Sequence, residues 1–316
     1  MMNNQMTAPI TGHDFLTLLD FTPAQIDDLL ALALKVKQEP EQFAEALKGK
    51  SLGMIFENAS TRTRVSFEVG MTQLGGHALF LSPRDMQIGR GEPIKDTANV
   101  LSRYVNAIMI RTNSHETVEQ LAEHASVPVI NALTDAYHPC QAMADLLTVY
   151  EQKKTLKGLK LVYVGDGNNV AHSLLAAGAK TGMDVTVASP AGYEVDQAIF
   201  EKAVAAAKET GAVLTQSNQP EEAVKDADVI YTDVWASMGF EAEQQEREQH
   251  FAGYQVNEQL ASLAKADYQF LHCLPAHRGE EVTAEVIDGD RSFIYDQAEN
   301  RLHAQKAILL SLLTTI

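Results

Sequence analysis

The stretch Ser51-Leu-Gly-Met-Ile-Phe-Glu-Asn-Ala-Ser-Thr-Arg-Thr-Arg64 holds the fold in miniature. Its first six residues predict a strand, and a helix is expected from about Thr61 to Leu74, stopped by Gly75-Gly76. A helix that opens after a strand offers unpaired backbone N–H groups and the positive end of its dipole. That suits an anion, and the guanidinium of Arg62 adds a planar fork for oxyanions. The plainer reading of the same residues is an N-cap, Ser60, followed by two solvated arginines.

The alternation continues outward. Val105–Ile110 and Pro128–Asn131 predict short apolar strands separated by a helix near Val118–Glu123, and a helix follows from about Cys140 to Glu151. After the polar stretch Glu151–Gly158 the pattern restarts with a strand at Lys160–Gly165, a helix over 170–181 and a strand over 184–188. Asp228–Tyr231 and Tyr268–Cys273 predict later strands. Strands alternating with helices of ten or more residues imply βαβ units and parallel sheets. A chain of 316 residues exceeds what one core usually spans. The expected fold is therefore α/β in two domains, 1–150 and 151–316, each a mostly parallel sheet flanked by helices.

Composition narrows the partners. Apolar residues make up 45% and charged residues 21%, as in ordinary globular proteins. The formal net charge of −17 repels nucleic acid and anionic membranes. An anionic ligand must then be held by a local cluster of cations. Cys140 and Cys273 lie far apart in the chain, so no disulfide framework is expected and a reducing cytoplasm is. The opening residues lack the basic and apolar regions of a signal peptide, and the longest apolar run, near Ala307–Leu313, is too short to span a bilayer.

Two further segments support the anion site. Met109-Ile110-Arg111-Thr112 ends a strand in a cation, and in His138-Pro139-Cys140-Gln141 the proline fits a first helical position, with His138 just outside. Ligands of open parallel sheets bind beyond the carboxyl ends of strands, and Arg62, Arg111 and His138 all fall there. Alone, His138 would more often be a loop residue bonded to a carbonyl.

Ser-Thr-Arg-Thr-Arg with His-Pro-Cys-Gln resembles the carbamoyl-phosphate domain of the aspartate/ornithine carbamoyltransferase family. The resemblance implies that Ser60, Thr61, Arg62 and Thr63 hold the phosphate, while Arg111, His138 and Gln141 address the carbamoyl group, Arg111 also bridging to phosphate. Asp85-Met-Gln-Ile-Gly-Arg-Gly-Glu-Pro-Ile-Lys-Asp-Thr97 resembles the family loop that reaches a neighbouring subunit's site. It makes Gln87 a contact in trans and implies a trimer or a multiple of trimers. Asn58 departs from the lysine that many relatives carry two residues before the serine.

In the second half, Val164-Gly165-Asp166-Gly167-Asn168-Asn169-Val170 follows a strand and opens a helix. A dinucleotide loop is the rival reading, but Val170 replaces its third glycine and the next strand does not end in a ribose-binding acid. The segment resembles the family's ornithine-binding half, which gives Asn169 to the amino-acid carboxylate. Asp233-Val-Trp-Ala-Ser-Met-Gly239 resembles the same branch, with Asp233 and Ser237 for amino groups and the Met238 backbone for the carboxylate; otherwise Asp233 is a cap or surface acid and the rest core packing. An acid placed for an amine argues against aspartate as acceptor. His272-Cys273-Leu274-Pro275 also matches the ornithine branch. It puts Cys273 beside the reacting amine and carbamoyl oxygen and gives a backbone carbonyl from Leu274. Asn300-Arg301 matches a family arginine aimed at the carbamoyl oxygen, and the terminal helix, about 298–316, is expected to return to the first domain.

The implied activity is transfer of the carbamoyl group of carbamoyl phosphate to the δ-amine of L-ornithine, giving citrulline and phosphate, in arginine biosynthesis or run backwards in arginine breakdown. No cofactor and no metal are expected. A metal site from His272, Cys273 and His277 is the alternative; adjacent strand residues point to opposite faces, which makes His272 and Cys273 poor co-ligands and His272 structural. The other readings are an enzyme acting on putrescine or an N-acylated ornithine, an NAD-dependent dehydrogenase, and a silent assembly subunit. The stretch Gly239–Ala252 reads as a closing flap or as a solvated helix.

Overall fold

The structure is a computed structural model, and it describes residues 9–236 and 244–315. Two compact units divide the chain: Met1–Leu147 with Glu299–Ile316, and Thr148–Ala298.

In the first unit, α1 (Pro23–Gln38) precedes β1 (Ser51–Phe56), α2 (Thr61–Gln73), β2 (His77–Leu81), α3 (Ile94–Leu101), β3 (Ala107–Arg111), α4 (His115–His124), β4 (Val129–Leu133) and the start of α5 (Pro139–Lys153). The strands are parallel in the order β2-β1-β3-β4. Met54, Ile55, Ile108, Met109 and Ile110 are fully buried, as expected of strands covered on both faces. Gly75 ends α2 with a positive φ of 81°, and a Cβ there would stand 2.8 Å from the carbonyl oxygen of Ala44.

The last helix, α12 (Ile294–Leu313), belongs to this unit from Glu299 onward. Leu309 and Leu310 are fully buried. Lys306 passes beside Gly70 and donates from Nζ to Gln73 Oε1 at 2.9 Å.

The second unit holds β5 (Lys160–Val164), α6 (Asn169–Thr181), β6 (Asp184–Ala188), α7 (Gln197–Ala207), β7 (Leu214–Ser217), α8 (Pro220–Val224), β8 (Val229–Thr232), α9 (Gln244–Phe251), α10 (Glu258–Ala261), β9 (Gln269–His272) and α11 (Ala284–Ile287). Its strands are parallel in the order β7-β6-β5-β8-β9.

Both sheets reverse direction at one point. In the first, β2 lies on one side of β1 and β3 on the other. In the second, β6 and β8 flank β5. A crevice opens at the carboxyl ends of two such diverging strands. Sequence reasoning did not find β2 or β7. Each is a short sheet edge, and β2 carries exposed or half-exposed side chains along its length, so neither shows the apolar run of a covered strand.

Candidate active site

At the β1/β3 divergence, Ser60 caps α2: its Oγ accepts from Thr63 N at 3.3 Å and donates to Thr63 Oγ1 at 3.0 Å. Arg62 is half-buried and Thr61 exposed, whereas Thr63 is fully buried. Arg64, the second arginine of the motif, turns away, its guanidinium 3.9 Å from the Phe80 ring centroid and its Nε on Glu68 at 2.9 Å. Of the two arginines of the motif, Arg62 is the candidate for an anion.

Arg111 ends β3 at an irregularity of register, where Ile110 faces Asn131 and Arg111 faces Leu133; such a bulge re-aims a side chain. Thr112, next in the chain, donates to Glu57 Oε2, which ties the ends of β1 and β3 together. His138 stands before Pro139, the first residue of α5, and is buried. Its imidazole is held well below its ordinary pKa, first by burial and then by Arg301, Arg111 and Arg62. It is therefore neutral at pH 7, one N–H and one lone pair among three guanidinium groups.

Arg301 arrives from α12. It donates from Nη1 to Gln141 Oε1 at 2.9 Å and from Nη2 to Thr63 Oγ1 at 2.7 Å. The structure thus brings together Ser60, Thr63, Arg62, Arg111, His138, Gln141 and Arg301. Beside them, burial pushes the Cys140 thiol up to about 12, so it offers no nucleophile. Gln87 is exposed in the loop after β2, at the head of a short turn.

A second cluster occupies the β5/β8 divergence. Asp233 follows β8, and its Oδ1 accepts from its neighbour Val234 N at 2.9 Å and from the Cys273 thiol at 3.1 Å. Its Oδ2 accepts from Asn168 Nδ2 at 3.0 Å. Asn168 caps α6, accepting from Val170 N at 2.9 Å and Ala171 N at 3.2 Å. Asn168 Oδ1 also accepts from Tyr163 OH at 3.3 Å. The Tyr163 phenol is pushed well above its ordinary value by burial, then by Asp233, Asp166 and Cys273. This is an acidic site, opposite in sign to the first.

Sequence reasoning singled out Asn169, which lies half-buried at the first position of α6. It missed Asn168, the residue that touches Asp233; an asparagine just before a helix is an N-cap signal. The same cap argues against a dinucleotide, because Asn168 already occupies the first amides of α6. Gly167 has a local reason as well: a Cβ there would stand 2.3 Å from the Glu194 backbone.

Ser237 and Met238 lie outside the described residues, as does 239–243 of the suggested flap. The remainder forms α9, which is more than a solvated helix. Phe251 is fully buried, and Arg247 donates from Nη1 to Asp166 Oδ2 at 2.7 Å and to the Trp235 carbonyl at 2.8 Å.

The structure revises the reason for setting a metal site aside. The ligand atoms of Asp233, His272 and Cys273 lie within 4.8 Å of one another, while His277 groups with Glu280 and Glu281. Strand alternation does not separate His272 from Cys273, because β9 ends at His272. Yet both ring nitrogens of His272 have partners. Nδ1 accepts from Leu274 N at 2.9 Å, and Nε2 meets Glu281 Oε1 at 3.1 Å. Leu274 holds a positive φ of 60° in this turn, a conformation that side chains seldom adopt without a local reason.

Residues 13–151 match the family described as "Aspartate/ornithine carbamoyltransferase, carbamoyl-P binding domain", and residues 157–312 match its "Asp/Orn binding domain". The chain belongs to the aspartate/ornithine carbamoyltransferase family. This family member is 73% identical over 309 residues to an ornithine carbamoyltransferase of Halalkalibacterium halodurans, covering 96% of each chain. It shares 63% identity with the Anoxybacillus flavithermus ornithine carbamoyltransferase, over 99% of this chain and 100% of that one. Among solved structures, the Pyrococcus furiosus ornithine carbamoyltransferase superposes with a TM-score of 0.93 at 56% identity, over 97% of this carbamoyltransferase chain and 99% of the other.

Proposed function

We propose that the chain is an ornithine carbamoyltransferase, converting carbamoyl phosphate and L-ornithine to L-citrulline and phosphate in arginine metabolism. The observation that carries this reading is that each unit holds a charged cluster at the point where its sheet diverges, and the two are opposite in sign. One gathers Arg62, Arg111 and Arg301 around a neutral His138. The other holds the Asp233 carboxylate with Cys273 and Asn168.

Each residue has a role in that chemistry. The phosphate is gripped by Ser60, Thr61, Arg62, Thr63 and the amides opening α2. Arg111, His138 and Arg301 donate to the carbamoyl oxygen, while Gln141 and the Leu274 carbonyl accept from its amide. Asp233 and Cys273 receive the ornithine amines with Ser237, and Asn169 and Met238 hold the carboxylate.

The neutral δ-amine attacks the carbamoyl carbon and forms a C–N bond. The oxyanion of the tetrahedral intermediate meets donors already in place, where such preorganisation lowers barriers most. The C–O bond to phosphate then breaks, and phosphate leaves with the bonding pair and takes up the proton that the amine nitrogen releases. Holding both reactants in register supplies further rate.

The working form is a homotrimer, or a multiple of it, in the cytoplasm. Support comes from the first unit, where Leu79 and Phe80 on the edge strand β2 and Val65 and Val69 on α2 are exposed. An apolar sheet edge needs a cover, and a second copy would bring Gln87 toward a neighbour's site. Among the described residues, no helix is long and apolar enough to cross a membrane.

The test is colorimetric citrulline detection with ornithine, putrescine and aspartate offered separately. Product from ornithine alone supports the reading. Carbamoylation of putrescine or aspartate in preference to ornithine refutes it.

A further inference from the structure

We infer that Asp145, which touches neither reacting group, is a positioning residue that fixes which end of the Gln141 amide faces the carbamoyl site. The inference rests on the function proposed above. A glutamine amide presents an acceptor on one side and two donors on the other, in nearly the same shape, so its neighbours choose the orientation. Gln141 and Asp145 lie one turn apart on α5, where side chains at i and i+4 meet.

Asp145 is buried, with 1% of its surface exposed, and its Oδ1 accepts from Gln141 Nε2 at 2.8 Å. That bond leaves Gln141 Oε1 toward Arg301, whose Nη1 donates to it at 2.9 Å. Arg301 Nη2 continues to Thr63 Oγ1 at 2.7 Å, and Thr63 Oγ1 accepts from Ser60 Oγ at 3.0 Å. One chain of hydrogen bonds, buried as far as Thr63, therefore runs from Asp145 to the cap of α2.

Turning the amide over would set its NH2 against the Arg301 guanidinium, donor against donor, and its oxygen against the Asp145 carboxylate, acceptor against acceptor. A carbonyl oxygen has two acceptor sites. With Arg301 on one, the other suits an amide N–H, which carbamoyl phosphate has and inorganic phosphate lacks. Asp145 should therefore govern recognition of the carbamoyl end and leave recognition of phosphate alone.

The experiment compares Asp145→Ala and Asp145→Asn with the parent by citrulline formation from ornithine, using inorganic phosphate as a competitive probe. The parent's turnover reports on the proposed function; the variants, measured against it, report on this inference. For Asp145→Ala the expected result is a KM for carbamoyl phosphate raised at least tenfold and a lower kcat, with the inhibition constant of phosphate within about twofold of the parent. Asp145→Asn, whose carbonyl oxygen still accepts from Gln141, should stay within about threefold throughout. Should Asp145→Ala fail to fold, Asp145→Ser enters the same comparison. Parallel losses for carbamoyl phosphate and phosphate, unchanged kinetics, or an Asn variant as damaged as the Ala variant would each overturn the inference.

Discussion

The Cys273 thiol donates to Asp233 Oδ1 across 3.1 Å. The other carboxylate oxygen is held by Asn168, so Asp233 is fixed from both sides before any amine arrives. A carboxylate so placed attracts a cationic or hydrogen-bonding amine; the neutral amide of asparagine does so far less. Asp233→Asn should therefore lower kcat/KM for ornithine by about a hundredfold or more, while calorimetric affinity for carbamoyl phosphate stays near the parent's. Unchanged kcat/KM would remove Asp233 from the reaction.

Of the two arginines of the Ser-Thr-Arg-Thr-Arg run, Arg62 is the one proposed to hold the phosphate, since Arg64 is spent on Phe80 and Glu68. Arg62→Ala should cut turnover on the order of a hundredfold or more and leave the far-ultraviolet circular dichroism spectrum intact, because the side chain is only half-buried. Arg64→Ala should spare turnover far more. Near-normal activity of the Arg62 variant would count against the phosphate site.

Sequence alone made the parallel α/β fold legible, because the alternation of apolar strands and helices is strong where both faces are covered, as at Met54–Ile55 and Ile108–Ile110. It faded at edges such as His77–Leu81, where half of that signal is absent. Candidate site residues at strand ends were legible for the same reason: Arg111 ends an apolar run, and Asp233 and Cys273 each follow one, while Pro139 marked His138 at a helix start. Residues acting through a neighbour were not. Asn168 signals only a helix cap and Asp145 carries no motif of its own, and only the folded chain shows the carboxylate or amide that each one meets.

The attacking amine must be neutral, and an unperturbed alkyl amine titrates near 10.4. His138 is already deprotonated at pH 7, since burial and three arginines depress its pKa. The amine then dominates the alkaline side. Activity at subsaturating ornithine should climb between neutral pH and about pH 9. A flat profile across that range would show that attack by the free amine does not limit the rate.

The same depressed pKa has a stability consequence. The unfolded chain protonates His138 below about 6.5, whereas the folded chain resists until lower pH. Protons therefore favour the unfolded state in that window, and the contribution is present above 6.5 and lost as pH falls through the folded value. His138→Asn should show a smaller fall in Tm between pH 7.5 and pH 5 than the parent. An equal or steeper fall in the variant would place the acid sensitivity elsewhere.

Everything turns on where carbamoyl phosphate sits. Crystals of the protein soaked with it should show the phosphate against Ser60, Arg62 and the amides opening α2, with the carbamoyl oxygen within hydrogen-bond reach of Arg111, His138 and Arg301. Density remote from residues 60–63, or a phosphate turned away from Arg62, would contradict the account.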